Sequence, residues 1–248
     1  MDLSIVVPLY DEEGNVEALT EQLADALNSI GLDFEMVLVD NGSRDRTSVE
    51  IDRMSRRFGN SVVKAVVPEN RGFGLGVIAG LKLCKGEFVG FMPGDLQVEP
   101  STTARLYQIA KANPGYLVKA LRYVRQDGLV RAVLSRLYNS LFRLLYGIKV
   151  KDVNGIPKIF PGKFSQHLDL RTRGSFFDAE LLIKITALNC KVLEVPTVSK
   201  QRSAGRSKVY ATTILEMLWD LLRFRFGREI RRWQAHEMDL SPPLRPEG

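Results

Sequence analysis

Four short apolar runs, each followed by a loop and then a helical pattern, restrict this fold more than any other feature. The runs are Leu3-Ser4-Ile5-Val6-Val7-Pro8-Leu9-Tyr10, Phe34-Glu35-Met36-Val37-Leu38-Val39, residues 62–67, and Phe88-Val89-Gly90-Phe91-Met92. Each is short and rich in β-branched or aromatic residues, the pattern of a strand buried on both faces. Between them, residues 16–30 carry apolar side chains at helical spacing (Val16, Leu19, Leu23, Leu27, Ile30) and close on Gly31. Thr47 is placed to cap a helix over 48–58, and a third helix runs from the glycine-rich stretch to about Lys85. Strands alternating with helices predict an α/β fold with a mainly parallel, doubly wound sheet and flanking helices.

Such a sheet binds ligands at the carboxyl ends of its strands. The fourth run stops in Pro93-Gly94 and then presents Asp95 and Gln97. Both offer hard oxygen donors of the kind that suits Mg²⁺ or Mn²⁺. The same edge is predicted to receive Glu12 after the first strand and Asp40 after the second. A carboxylate after strand two commonly meets a ribose or base. The loop Asn70-Arg71-Gly72-Phe73-Gly74-Leu75-Gly76 lacks the dinucleotide spacing and follows strand three, which disfavours a dehydrogenase. Its glycines allow either close backbone approach to a ligand or simply a flexible entry to a helix.

The second half reads less regularly. Helices are expected over 101–112, 129–147, 176–188 and 210–226, strands over 116–121 and 191–198, and a turn followed by a short strand within 151–160. The formal net charge is +6, and basic residues gather in 122–151 and 200–232. Interleaved with Leu, Tyr, Phe and Trp, they point to anionic partners such as phosphate or an anionic lipid surface. The stretches 129–147 and 210–226 suit either membrane-surface helices or helices docked on the domain with snorkelling arginines. The loop Lys200-Gln201-Arg202-Ser203-Ala204-Gly205-Arg206-Ser207-Lys208 suits a pyrophosphate. Two cysteines, Cys84 and Cys190, make no disulfide or zinc framework. With no leader pattern and no run of 18 apolar residues, a cytoplasmic protein without a spanning helix is expected.

Five motifs in chain order resemble the family-2 glycosyltransferases, closest to dolichol-phosphate mannose synthases and related polyprenyl-phosphate glycosyltransferases. They are residues 6–12, 39–47, 70–74, 94–97 and 202–208. The resemblance implies a GT-A fold and an inverting transfer of a sugar from a GDP- or UDP-sugar donor to a polyprenyl phosphate at the membrane surface. It implies a divalent metal, Mg²⁺ or Mn²⁺. By position, Pro8, Tyr10, Glu12, Asp40, Gly42, Arg71, Gly94 and Asp95 resemble donor-nucleotide contacts. Asp95 and Gln97 resemble metal ligands, and Asp95, Arg202 and Lys208 the catalytic set, the last two clamping the diphosphate. Arg122, Arg131 and Ser135 resemble the acceptor-phosphate site. The chain departs from the family's Asp-x-Asp-x-Gln at Pro93, which replaces the first carboxylate, and carries Val153-Asn154-Gly155-Ile156-Pro157-Lys158 where mannose synthases tend to read Thr-Ser-Gly-Phe-Arg.

These readings divide the chain into a catalytic domain over 1–208, a basic amphipathic helix over 209–234 and a flexible tail over 235–248. The protein is expected to lie peripherally on the cytoplasmic membrane face, held by its basic helices or by a membrane-protein partner, with no nucleic-acid role. Two other readings stand beside it. One is transfer to a saccharide hydroxyl, for which Asp178 or Glu180 is the available base. The other is a degenerate, non-catalytic nucleotide-sugar-binding relative.

Overall fold

The computed structural model describes residues 1–122, 129–197 and 211–240, with side chains described for 1–122, 133–197 and 216–236. Its centre is a seven-stranded sheet in the order β3-β2-β1-β4-β6-β5-β7. The strands are β1 (Leu3–Leu9), β2 (Phe34–Asn41), β3 (Val62–Val67), β4 (Phe88–Phe91), β5 (Tyr116–Arg122), β6 (Lys158–Pro161) and β7 (Lys191–Thr197). All pairings are parallel except those of β6, which runs antiparallel to both β4 and β5. The expected mainly parallel sheet is therefore present, with one reversed strand. Its reversal follows from topology: the chain leaves β5 at the ligand-binding edge, travels away, and returns to that edge before entering β6.

Helices α1 (Val16–Asn28), α2 (Thr47–Phe58) and α4 (Ser101–Ala112) cover one face. Helices α3 (Phe73–Leu81), α5 (Leu129–Tyr146), α6 (Phe177–Ala187), α7 (Ala211–Phe226) and α8 (Glu229–Leu240) build the other. Alternate residues of β2 feed the two cores: Met36 and Leu38 point to one, Val37 and Val39 to the other. That is why β1 and β2 are buried along their whole length and why their sequences run continuously apolar.

Three boundaries differ from the sequence reading. Helix α2 starts at Thr47 itself, with Arg46 at the N-cap position, and the Asp45 carboxylate one residue earlier accepts the Thr47 N–H at 2.9 Å. Helix α3 begins inside the glycine-rich stretch, at Phe73. The single basic helix expected over 209–234 is two, α7 and α8, broken around Gly227 and Arg228. Helix α8 continues to Leu240, into the stretch expected to be a tail, because Ile230 and Trp233 bury against the domain and the Trp233 indole donates to the His167 carbonyl at 2.9 Å. Packing of an apolar stripe overrides a composition that by itself reads as solvated. Among the described residues, no helix is long and apolar enough to cross a membrane.

Candidate functional site

The parallel register brings the ends of β1, β2 and β4 to one edge. Leu9 lies opposite Asp40 on β2, and Val6 opposite Phe91 on β4. Glu12 and Asp95, in the loops after β1 and β4, and Asp40, at the end of β2, thus belong to strands that finish side by side, as the element order predicted. Gly94 fits closely there: a Cβ on it would come within 2.5 Å of Leu9 Cδ2. The turn that carries Asp95 therefore packs directly on the end of β1.

The loops after β1 and β2 are bound together by reciprocal carboxylate-to-amide hydrogen bonds. Asp11 Oδ1 accepts the Arg44 N–H at 2.8 Å, and Glu13 Oε2 accepts the Arg46 N–H at 2.8 Å. In return, the Glu12 N–H donates to Thr47 Oγ1 at 2.9 Å and the Glu13 N–H to Asp45 Oδ2 at 3.1 Å. Asp40 is buried and accepts the Ser43 N–H at 2.9 Å. Glu12 accepts from the Asn15 amide at 2.6 Å. Burial alone would raise the Asp45 carboxyl, but the Thr47 hydroxyl and the backbone donors of Thr47 and Glu13 outweigh it and hold it below the usual carboxylate range. The Asp11 and Glu13 carboxylates are thus used to satisfy backbone donors of the facing loop, and Glu12 to hold the Asn15 amide, which leaves a rigid rim around Asp40.

Gly42 completes that rim with φ of +77°, and a Cβ there would stand 2.5 Å from the Asn70 amide nitrogen. The loop after β3 also differs from one of its expected uses. A Cβ on Gly72 would meet the Arg173 carbonyl at 2.5 Å, and one on Gly74 the Thr172 carbonyl at 2.6 Å. The glycines let the segment before α6 pack against this loop. Asn41, which the sequence reading passed over, ties the two parts together: its amide donates to the Gly72 carbonyl at 3.1 Å, while its Oδ1 is buried without a hydrogen-bond partner among the described residues. Arg71 is exposed and pairs with Glu69 at 2.8 Å. Pro8 is buried under the edge and Tyr10 is half-buried on it.

Asp95 and Gln97 are half-buried, and Asp95 Oδ1 accepts the Gln97 N–H at 3.2 Å. Among the described residues, no group of three or more His, Cys, Asp or Glu is placed to hold a metal ion. The donor set is one carboxylate with one amide oxygen, which matches Pro93 standing where a second carboxylate would be. That set fits a small hard cation that takes its remaining ligands from water and a phosphate-bearing ligand, as Mg²⁺ commonly does.

The second half contributes a buried charge array that periodicity did not suggest. Lys119 on β5 lies opposite Lys158 on β6, and both are fully buried. Lys158 pairs with Asp178 in the first turn of α6 and stands 5.5 Å over the Phe91 ring. Lys119 bonds the carbonyls of Asp152 and Ala120 and pairs with Glu194 at 3.3 Å. Arg122 makes a two-pronged bond to Asp152, Nε to Oδ2 at 2.8 Å and Nη2 to Oδ1 at 3.0 Å. The guanidinium expected at the acceptor phosphate is therefore oriented by Asp152. Ser135 is half-buried on α5. The side chain of Arg131, and Arg202 and Lys208 altogether, lie outside the described residues.

Burial, reinforced by the neighbouring Lys158 charge, pushes the Lys119 ammonium down to about 8 from the ordinary lysine value of 10.5, against the opposing pull of Asp152, Glu194 and Asp178. Below about 8 the folded and unfolded chains both carry this proton, so its burial cost is constant. Between there and the ordinary value the folded chain releases it first, so this group makes stability rise with pH. Chemical unfolding of the native chain and of Lys119→Met across that window should show the native chain gaining relative to the variant. A constant difference would contradict the assignment.

The two carboxylates considered as bases are otherwise engaged. Glu180 is fully buried, accepts the N–H groups of Arg171 and Thr172 at 3.1 and 2.7 Å, and pairs with Lys184 at 2.6 Å. Asp178 is held by Lys158.

The mainly parallel sheet with its one reversed strand and flanking helices is shared with solved glycosyltransferases, which places the chain in the GT-A fold class. Solved structures agree on that fold: glucosyl-3-phosphoglycerate synthase from Mycobacterium tuberculosis, in complex with Mn²⁺, UDP and glucosyl-3-phosphoglycerate, superposes with a TM-score of 0.67 at 18% identity, covering 90% of this chain and 79% of that one. The same enzyme with Mg²⁺ and UDP gives 0.67 at 17% identity, covering 90% and 79%. The model of the family described as "Glycosyl transferase family 2" matches residues 4–169, and the chain belongs to that family. Curated relatives include the undecaprenyl-phosphate 4-deoxy-4-formamido-L-arabinose transferases of Edwardsiella ictaluri (strain 93-146), 28% identical, and Pseudomonas aeruginosa (strain LESB58), 29% identical, each over 222 residues and 89% of this chain. The chain spans 66% and 64% of the lengths of these two relatives.

Proposed function

We propose that the protein transfers a sugar, with inversion, from a nucleotide-sugar donor to a polyprenyl phosphate at a membrane surface. The observation that carries this reading is the edge where the β1, β2 and β4 loops meet, in a chain of this family whose relatives are named for transfer to undecaprenyl phosphate. An acceptor phosphate is already an anion near neutral pH, so it needs orientation more than deprotonation. That agrees with Glu180 and Asp178 being occupied by lysines and backbone donors. Transfer to a saccharide hydroxyl, which calls for a base, gains no support from either carboxylate.

In this reading Asp40 and the rim of the β1 and β2 loops receive the nucleoside of a GDP- or UDP-sugar, beside Pro8, Tyr10, Glu12, Gly42, Arg71 and Gly94. Asp95 and Gln97 hold Mg²⁺ or Mn²⁺, which supplies charge to offset that on the departing diphosphate. Arg202 and Lys208 add charge-assisted hydrogen bonds to the same oxygens. Arg122, fixed by Asp152, acts with Arg131 and Ser135 on the acceptor. A phosphate oxygen attacks the sugar's anomeric carbon, the bond from that carbon to the diphosphate breaks, and the nucleoside diphosphate leaves. The catalytic unit over 1–208 would sit on the membrane by way of α5 and α7. Val133, Leu137 and Leu144 on α5, and Trp219 and Phe226 on α7, are exposed and interleaved with Arg136, Arg143, Arg223 and Arg225. A cytoplasmic face and a membrane-protein partner belong to the same proposal.

The test is a panel of GDP- and UDP-sugars offered with a vesicle-borne polyprenyl phosphate and Mg²⁺ or Mn²⁺. One metal-dependent glycolipid is expected. Transfer only to free sugars would reject the acceptor, and binding of donor without turnover would favour the non-catalytic reading.

A further inference from the structure

A groove of about 610 Å³ opens beside the C-terminal half of α6, away from the strand-end edge. It lies between the ends of α5, α6 and α7 and the start of α8, where Ile148, Ile183, Phe226 and Ile230 form apolar walls. Helix α6 fixes its distance from the chemistry. Asp178, in the first turn of α6, meets the ligand-binding edge of the sheet, while Ile183 and Ala187, near its other end, line the groove. The apolar walls are joined by two guanidiniums, Arg225 and Arg231.

The polar groups at this groove divide clearly. The Tyr146 hydroxyl is spent on the Leu221 carbonyl at 2.8 Å, and the Thr186 hydroxyl on carbonyls of its own helix. Arg225 Nε donates to the Leu145 carbonyl at 3.0 Å, which holds its planar head at the groove. The segment around it, Arg223-Phe224-Arg225-Phe226-Gly227-Arg228-Glu229-Ile230-Arg231-Arg232, is strongly basic with one acid. One wall also runs into the exposed apolar face of α5 and α7: Phe226 lines the groove and is 68% exposed, and Leu144, beside the lining residue Leu145, is 81% exposed. A slot of this size with apolar walls, two guanidiniums of which Arg225 is fixed, and an opening beside an exposed apolar face calls for an anionic amphiphile.

We infer that this groove binds one anionic glycerophospholipid, its phosphate on Arg225 and Arg231 and an acyl chain against Ile148, Ile183 and Ile230. The inference rests on the membrane-surface reading above and adds to it a discrete lipid site made of residues outside the candidate catalytic edge. The bound lipid would set the height and tilt at which α5 and α7 lie on the bilayer.

The test is calorimetric titration of the full chain with dihexanoyl phosphatidylglycerol as soluble monomer, with dihexanoyl phosphatidylcholine and inorganic phosphate as parallel arms. Saturable binding of the anionic lipid, weaker binding of the zwitterionic one and none of phosphate is expected. Arg231→Gln should weaken the anionic lipid about fivefold, the share expected of one basic residue at an anionic surface. Arg232→Gln, one residue outside the lining, should change it little. Ala187→Trp, at an exposed position on the rim, should block binding by filling the slot. Equal losses in Arg231→Gln and Arg232→Gln with none in Ala187→Trp would overturn the groove in favour of diffuse charge. Phosphate binding as tight as lipid binding would reduce it to an ion site and overturn it also. Flotation with mixed phosphatidylcholine and phosphatidylglycerol vesicles separates the two levels: a protein that floats but gives no saturable soluble-lipid binding loses the groove and keeps the membrane reading, whereas one that never floats loses both.

Discussion

Asp95→Asn is expected to lower sugar transfer by a factor on the order of 10² to 10³, the usual loss when one group stabilising a developing charge is removed. The substitution is chosen to spare the fold. Asp95 Oδ1 accepts the Gln97 N–H, and an asparagine oxygen keeps that turn. What changes is the charge. With Pro93 ahead of it and Gln97 behind, Asp95 is the carboxylate of its own turn. A cation shared with a diphosphate would lose its anionic protein ligand. The thermal midpoint should stay within a degree or two of the native chain, while nucleotide binding loses its dependence on Mg²⁺ or Mn²⁺. Undiminished transfer by the variant would remove Asp95 from the mechanism.

Lys158→Met is expected to be the most damaging single change to stability, at about 3–5 kcal/mol. It strips the partner from Asp178, a carboxylate whose side chain is only 12% exposed. Lys158 is fully buried, and its burial pulls its proton affinity down while Asp178 pulls it back up. Removing the ammonium, which stands over the Phe91 ring, leaves the Asp178 carboxylate in the first turn of α6 without its lysine. The double variant Lys158→Met with Asp178→Leu should recover most of the loss, because a buried pair exchanged for apolar groups of similar volume is often neutral or better. For a chain of this size the single variant should melt roughly 6 to 20 °C lower. Urea unfolding of the three proteins decides it: equal destabilisation of the single and double variants would mean the pair itself, and not the stranded carboxylate, is what matters.

The strands of the first half were legible because each is a short apolar run between loop signals, and buried parallel strands leave that trace in any sequence. The loop after β1 was legible as acidic but not as a clamp. Asp11, Glu13 and Asp45 read as charged surface until the β1 and β2 loops are side by side, when each meets a backbone N–H from the other. Gly72 and Gly74 could be read as room for a ligand or as flexibility. Their neighbours prove to be the carbonyls of Arg173 and Thr172, a hundred residues downstream. Lys119, Asp152 and Glu194 carried no motif at all, and Lys158 stood only at the end of the stretch that departs from Thr-Ser-Gly-Phe-Arg. A lysine among apolar residues in a strand is the trace they left, and it does not say which acid answers it.

The sequence by itself determined the alternation of strands and helices, the edge where Glu12, Asp40 and Asp95 gather, and membership of a glycosyltransferase family. The alternation and the edge follow from local periodicity and from the short loops that end each strand; the membership follows from the five motifs in chain order and the family match. Only the tertiary structure decided that β6 runs backwards between β4 and β5, that two buried lysines face one another there, and that α8 folds back on Trp233 to close a basic groove. The physical reason is separation along the chain. Periodicity reports which face of an element avoids water, whereas an ion pair such as Lys158 with Asp178, or a groove between α5 and α8, exists only once distant elements have packed.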